Sequence, residues 1–117
     1  MPAAAAHDPS TIAAALRRDA ALAPLVAQYE AQLDAPGRAF GKNGLKVGGK
    51  LFALFTQGTL VVKLPRARVA ELVAEGQGEP FDPGHGRLMK EWLTVRSGKA
   101  TWARLAREAH DFVKAAR

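Results

Sequence analysis

Between Leu45 and Leu64 three short apolar runs stand so close together that only one kind of sheet can hold them. Leu45-Lys46-Val47, Leu51-Phe52-Ala53-Leu54-Phe55 and Leu60-Val61-Val62-Lys63-Leu64 are separated by Gly48-Gly49 and by Thr56-Gln57-Gly58-Thr59. Runs of this kind bounded by turn residues read as strands. A parallel crossover needs a dozen or more residues, so connections this short dictate an antiparallel meander. Gly-Gly supplies the positive φ angles that a two-residue hairpin turn requires. Gly44 to Lys50 also has the Gly-x-x-x-x-Gly-Lys spacing of a phosphate-binding loop. That loop needs Ser or Thr after the lysine to hold Mg²⁺, and a helix opening there, whereas Leu51 opens a strand. The hairpin explains both glycines.

Residues 1–9 are read as a tail and residues 10–117 as one domain, since 117 residues suffice for a single core. Ser10 or Thr11 is expected to cap a first helix running through Leu16, and Pro24 to occupy the first turn of a second. In that second helix Leu25, Val26, Tyr29 and Leu33 recur at spacings of three and four, and Pro36-Gly37 is expected to end it. Pro65 stops the third strand and starts a helix over Arg66 to Glu75, with Val69, Leu72 and Val73 inward and Gly76 at its end.

Gln77 to Lys90, with Pro80, Pro83, Gly84 and Gly86, is read as a constrained loop that delivers Trp92-Leu93-Thr94-Val95 as a strand. From Thr101 to Ala116, Trp102, Leu105, Ala106, Ala109, Phe112 and Val113 form one helical stripe. The order α-βββ-α-β-α predicts an α+β fold of two layers, an antiparallel sheet of about four to five strands with the helices on one face.

The net charge of +6 matters less than its placement. No acid lies between Asp34 and Glu71, while Arg38, Lys42, Lys46, Lys50, Lys63, Arg66 and Arg68 fall there. From Glu71 to Glu91 the sign reverses, with Glu71, Glu75, Glu79, Asp82 and Glu91 against Arg87 and Lys90. A field with two faces would steer the molecule to a polyanion or to a partner of opposite pattern; the competing reading is that the two runs neutralise each other within one molecule. The absence of cysteine excludes disulfides and thiolate metal sites. No basic n-region precedes the opening alanines and no apolar run is long enough to cross a bilayer, so a cytoplasmic location without membrane contact is expected.

Few residues carry catalytic potential. His85 stands between two glycines near Asp82 and Arg87, but no serine or cysteine lies beside it to activate and no second histidine at metal-ligand spacing. It is read as a turn side chain, and His7 and His110 as surface residues. Trp102 lies on the helical stripe and is assigned to the core. Trp92 is assigned there too, against the rival reading that it lines a pocket, although alternation sets it on the face opposite Leu93 and Val95. No cofactor or metal is expected. Lys46, Lys50 and Lys63, on neighbouring strands, are expected to gather, and with His85, Arg87 and Lys90 they form the candidate contact set. Helix-turn-helix, zinc-finger and RNP signatures are missing.

Phe40-Gly41, Gly44 to Ala53, Leu60 to Leu64 and Arg87-Leu88-Met89-Lys90-Glu91-Trp92, taken as a set, resemble the TfoX N-terminal domain family and, more loosely, the small YjbR/MmcQ-like proteins. Lys42 departs from the second glycine that often follows Phe-Gly in that family. The resemblance implies a two-layer α+β domain of the kind shared with secretion chaperones, and a connection to competence regulators that act on transcription through protein partners. It carries no catalytic residues. The expected function is a non-enzymatic binding module with a protein partner. Direct electrostatic binding of nucleic acid is the alternative, and a small-molecule or enzymatic pocket near His85 and Trp92 the third reading. Self-association through exposed edge strands is left open.

Overall fold

The computed structural model describes residues 9–33, 44–56, 58–82 and 88–116. Two helices, α1 (Pro9–Leu16) and α2 (Ala23–Leu33), precede strands β1 (Gly44–Val47), β2 (Lys50–Thr56) and β3 (Thr59–Lys63). Then come α3 (Arg66–Ala74), β4 (Gly78–Phe81), β5 (Met89–Val95) and, after a 3₁₀ turn at Lys99–Thr101, α4 (Trp102–Ala115). The five strands form one sheet in the order β1-β2-β3-β5-β4, antiparallel at each interface. The expected α+β class, the meander and the placement of helices on one face are all observed.

Local chemistry explains most boundaries. Gly48 and Gly49 hold φ of 60° and 80°, which lets Val47 pair directly with Lys50 across a two-residue turn. At the end of α3, Gly76 takes φ 76°; its N–H donates to the Val73 carbonyl and that of Gln77 to Leu72. The two bonds satisfy carbonyls the helix would otherwise leave open. The first helix begins at Pro9, so Ser10 and Thr11 lie inside its first turn rather than capping it. Pro36 and Gly37 lie outside the described residues.

The stretch from Gln77 to Lys90 holds more order than its composition predicts. Gly78 to Phe81 pairs with β5 as an edge strand, and β5 itself begins at Met89 rather than Trp92. Pro80 is tolerated because β4 has a neighbour on one side only, so the missing N–H breaks no second ladder.

One core lies between the sheet and the helices. From the sheet come Leu45, Phe52, Phe55, Leu60, Val62, Leu93 and Val95; from the helices come Ile12, Leu16, Val26, Tyr29, Val69, Leu72, Trp102, Leu105 and Val113. Tyr29 meets Phe55 edge to face at 4.9 Å. A register shift between β1 and β2 sets both Phe52 and Ala53 inward, and both are fully buried. Trp102 is in this core as expected. Trp92 is not: it is half-buried on the other side of the sheet.

His110 corrects the sequence reading most clearly, being 8% exposed rather than a surface residue. It lies four residues after Ala106 and three before Val113, so it belongs to the buried stripe of α4. Its ring stands edge to face on Phe52 at 5.5 Å. Nδ1 donates to Asp111 Oδ1 at 2.8 Å, and Arg107 Nε donates to the same oxygen at 3.2 Å. Arg107 Nη1 reaches Asp19 at 3.3 Å, and Asp19 Oδ1 accepts the N–H groups of Ala21 and Leu22 ahead of α2. This chain of polar contacts ties the α1–α2 connection to α4.

Replacing Phe52 by Ala should lower the unfolding free energy by about 3–5 kcal/mol, whereas truncating the exposed Leu88 should change it by less than about 0.5, both read from urea denaturation. The hydrogen bond from His110, and then that from Arg107, holds the Asp111 carboxyl below its ordinary range. A depressed carboxylate pKa contributes stability above that range and loses it as pH falls through it. Asp111→Asn should therefore be less stable than the parent at neutral pH, with the difference closing in acid, as measured by denaturation midpoints between pH 7 and pH 2.

Candidate binding surface

All four helices pack on one side of the sheet, so among the described residues no helix covers its other, open side. Alternation places Gly44 and Lys46 of β1, Leu51 and Leu54 of β2, Val61 and Lys63 of β3, and Trp92 and Thr94 of β5 on that open face. Direct cross-strand pairs confirm it: Lys46 opposite Leu51, Gly44 opposite Leu54, Val61 opposite Leu54 and Thr94, and Lys63 opposite Trp92. Leu51, Leu54, Val61 and Trp92 are accordingly absent from the helix-side core. Val61 is nevertheless fully buried. Gly44 leaves room for a close approach, because a Cβ there would collide with the Ala53 carbonyl oxygen and stand 2.8 Å from Leu51 Cδ2.

The surface is therefore an apolar strip with cations set into it. Lys46 and Lys63 lie two strands apart, about 10 Å, on either side of Leu51. The Lys63 ammonium stands 5.7 Å from the centroid of the Trp92 ring and 4.0 Å from Glu91 Oε1. A cation over an indole face is held by the ring quadrupole.

Lys50 does not join this group. Paired with Val47, it lies on the helix side and lines a recess with Val113 and Lys114 at the end of α4. The three lysines thus occupy neighbouring strands but opposite faces, because one residue's difference in register reverses the direction of a strand side chain. Lys90 is exposed on β5, two residues before Trp92. His85 and Arg87 lie outside the described residues.

The two charge runs interlock in space. Arg68 Nε and Nη2 donate to Glu108 at 2.9 and 3.0 Å while Nη1 donates to Glu71 at 2.7 Å, joining α3 to α4. These bonds, Glu108 first, raise the guanidinium further above its ordinary pKa. Arg96 Nε holds Glu79 at 2.8 Å between β5 and β4. Glu71 and Glu79 of the acidic run are thereby held by arginines, and Lys46, Lys50 and Lys90 are left without an ion pair among the described residues.

A cavity of about 170 Å³ lies at the far end of β5, walled by Thr59, Val95, Arg96, Ser97 and Trp102. Its polar groups are already engaged: the Ser97 and Thr101 hydroxyls bond each other at 2.7 Å, and Arg96 is held by Glu79. Among the described residues no cluster of three or more His, Asp or Glu could hold a metal ion, and no helix is long and apolar enough to cross a membrane. The buried His110 was missed by sequence reasoning, although its place on the α4 stripe was the available signal.

Comparison with curated proteins and with solved structures gives no match. A protein-family model described as YjbR matches residues 26–112, from within α2 to near the end of α4, well over half of the sequence. The match takes in all five strands and the open face described above, and on that extent the chain belongs to the YjbR family.

Proposed function

We propose that the chain is a non-enzymatic, cytoplasmic binding module that engages a protein partner on the open face of its sheet, in a setting of transcriptional regulation suggested by its likeness to TfoX N-terminal domains. The observation that carries this reading is the mixed character of the face. Half-buried Leu51, Leu54 and Trp92 alternate with Lys46 and Lys63, and Glu91 and the Arg96–Glu79 pair lie within it or at its margin. Protein interfaces are built this way, from an aromatic or aliphatic centre with a polar rim. A polyanion is better served by a continuous basic surface, and here the basic residues are interrupted by acids and divided between two faces.

A second reading, direct binding of nucleic acid, is favoured by one feature: Trp92 is a half-buried indole with a lysine over its ring, and bases stack on such platforms.

Photo-crosslinking separates the two. With benzoylphenylalanine at position 92, cell extract should yield a discrete protein adduct that survives nuclease, while the same group at the exposed Arg104 of α4 should not. An adduct removed by nuclease, whose yield falls steeply with salt, would instead support nucleic acid. No adduct of either kind from position 92 would refute the use of this face.

A further inference from the structure

The sheet has two edges, and they are protected unequally. At the β4 edge Pro80 removes one N–H and the Glu79–Arg96 ion pair bridges to the neighbouring strand, both recognised ways of blunting an edge. At the β1 edge there is no proline and Lys46 is the one charged side chain, and nothing among the described residues pairs with its outer side. Val47 and Lys50 flank a two-residue turn and exchange their backbone bonds within the hairpin. Alternation then turns the N–H and C=O of Lys46 outward, away from β2.

The side chains at and beside this edge carry the second observation, Lys46 on β1 itself and Lys50 one strand in, on β2 opposite Val47. Lys46 stands on the open face and Lys50 on the helix face, beside Lys114, and none of the three has an ion pair among the described residues. Their separation, which prevents a single basic patch, suits an extended ligand, since successive side chains of a strand point to opposite faces. Two adjacent acids on an added strand would meet Lys46 on one face and Lys50 with Lys114 on the other.

We infer that β1 receives, as a sixth strand, an extended segment of the protein partner bearing adjacent acidic residues. The inference rests on the protein-partner reading above and names the chemistry of that partner. Backbone bonds along the edge supply affinity and the alternating acids supply selection, as in other cases of strand addition. A second copy of the chain fits less well, because antiparallel β1 pairing would bring like lysines together across the seam.

The probe is a fluorescein-labelled octapeptide, Thr-Val-Glu-Asp-Val-Glu-Asp-Thr, titrated against the full chain by anisotropy. Saturable binding is expected. Lys46→Pro, which removes the outward N–H without touching the ladder to β2, should weaken it about tenfold. Lys46→Ala and Lys50→Ala should each weaken it about threefold, and a peptide with lysine in place of its acids should not bind. Circular dichroism controls for the fold of the proline variant. On the unaltered chain, amide exchange should slow at Lys46 and stay unchanged along β4.

Binding unaffected by Lys46→Pro, protection at β4 instead of β1, or no saturable binding would overturn the inference. So would displacement of the peptide by oligothymidylate to the same extent in the parent and in Lys46→Pro, or a concentration-dependent dimer that Lys46→Pro abolishes. A protein adduct at position 92 together with failure of the peptide leaves the protein-partner reading standing and removes only the strand addition. Loss of that adduct removes the reading itself.

Discussion

The apolar stripe of α4 against the inner face of the sheet is the contact on which the remaining elements depend. Trp102, Leu105, Ala106, Ala109, His110 and Val113 follow one another at helical spacing and are all buried, and a fully buried Leu or Val is worth about 1.5–3 kcal/mol. Alanines at 106 and 109 let the helix approach closely enough for Phe52 to reach His110. The first helix then packs on α4, and α3 is fixed to it by Arg68, whose fork spans Glu108. Because these helices lie on one layer, the sheet has a second face that nothing in the helical layer covers.

That asymmetry decides what the surface residues can do. On the open face Val61 is fully buried, while Leu51, Leu54 and Trp92 around it are half-buried. Cations at Lys46 and Lys63 are set around it, and Trp92 provides a rigid aromatic body. At the same time the arginines are largely consumed in holding elements together: Arg68 between helices, Arg96 between strands, Arg107 between α4 and the α1–α2 connection. Lysines, with their compact charge on a flexible stem, are mostly left out of such pairs among the described residues, Lys63 with Glu91 excepted.

The meander, α3 and α4 were legible in the sequence because their determinants are local. Gly48-Gly49 can do little but turn, Pro65 and Gly76 bracket α3, and the α4 stripe repeats at three and four. The β4 strand was not legible, since Glu-Pro-Phe has the composition of a loop and becomes a strand only because β5 offers it an edge. The same limit applied to the candidate site. Lys46 and Lys63 share one face two strands apart, but whether Lys50 shares it depends on hairpin register and on the bulge at Phe52, which are properties of pairing rather than of composition. Trp92 was assigned to the core from its aromatic character, while its alternation with Leu93 already pointed the other way.

The likeness to other YjbR proteins begins at residue 26, but the packing does not. Ile12, Ala13, Leu16 and Leu22 are all completely buried, and Asp19 is anchored both to the start of α2 and to Arg107. A fragment cut to the shared region would leave a groove in the core where α1 had been and strip Arg107 of one of its two acidic partners. The segment that makes this chain recognisable is shorter than the segment that must fold as a unit.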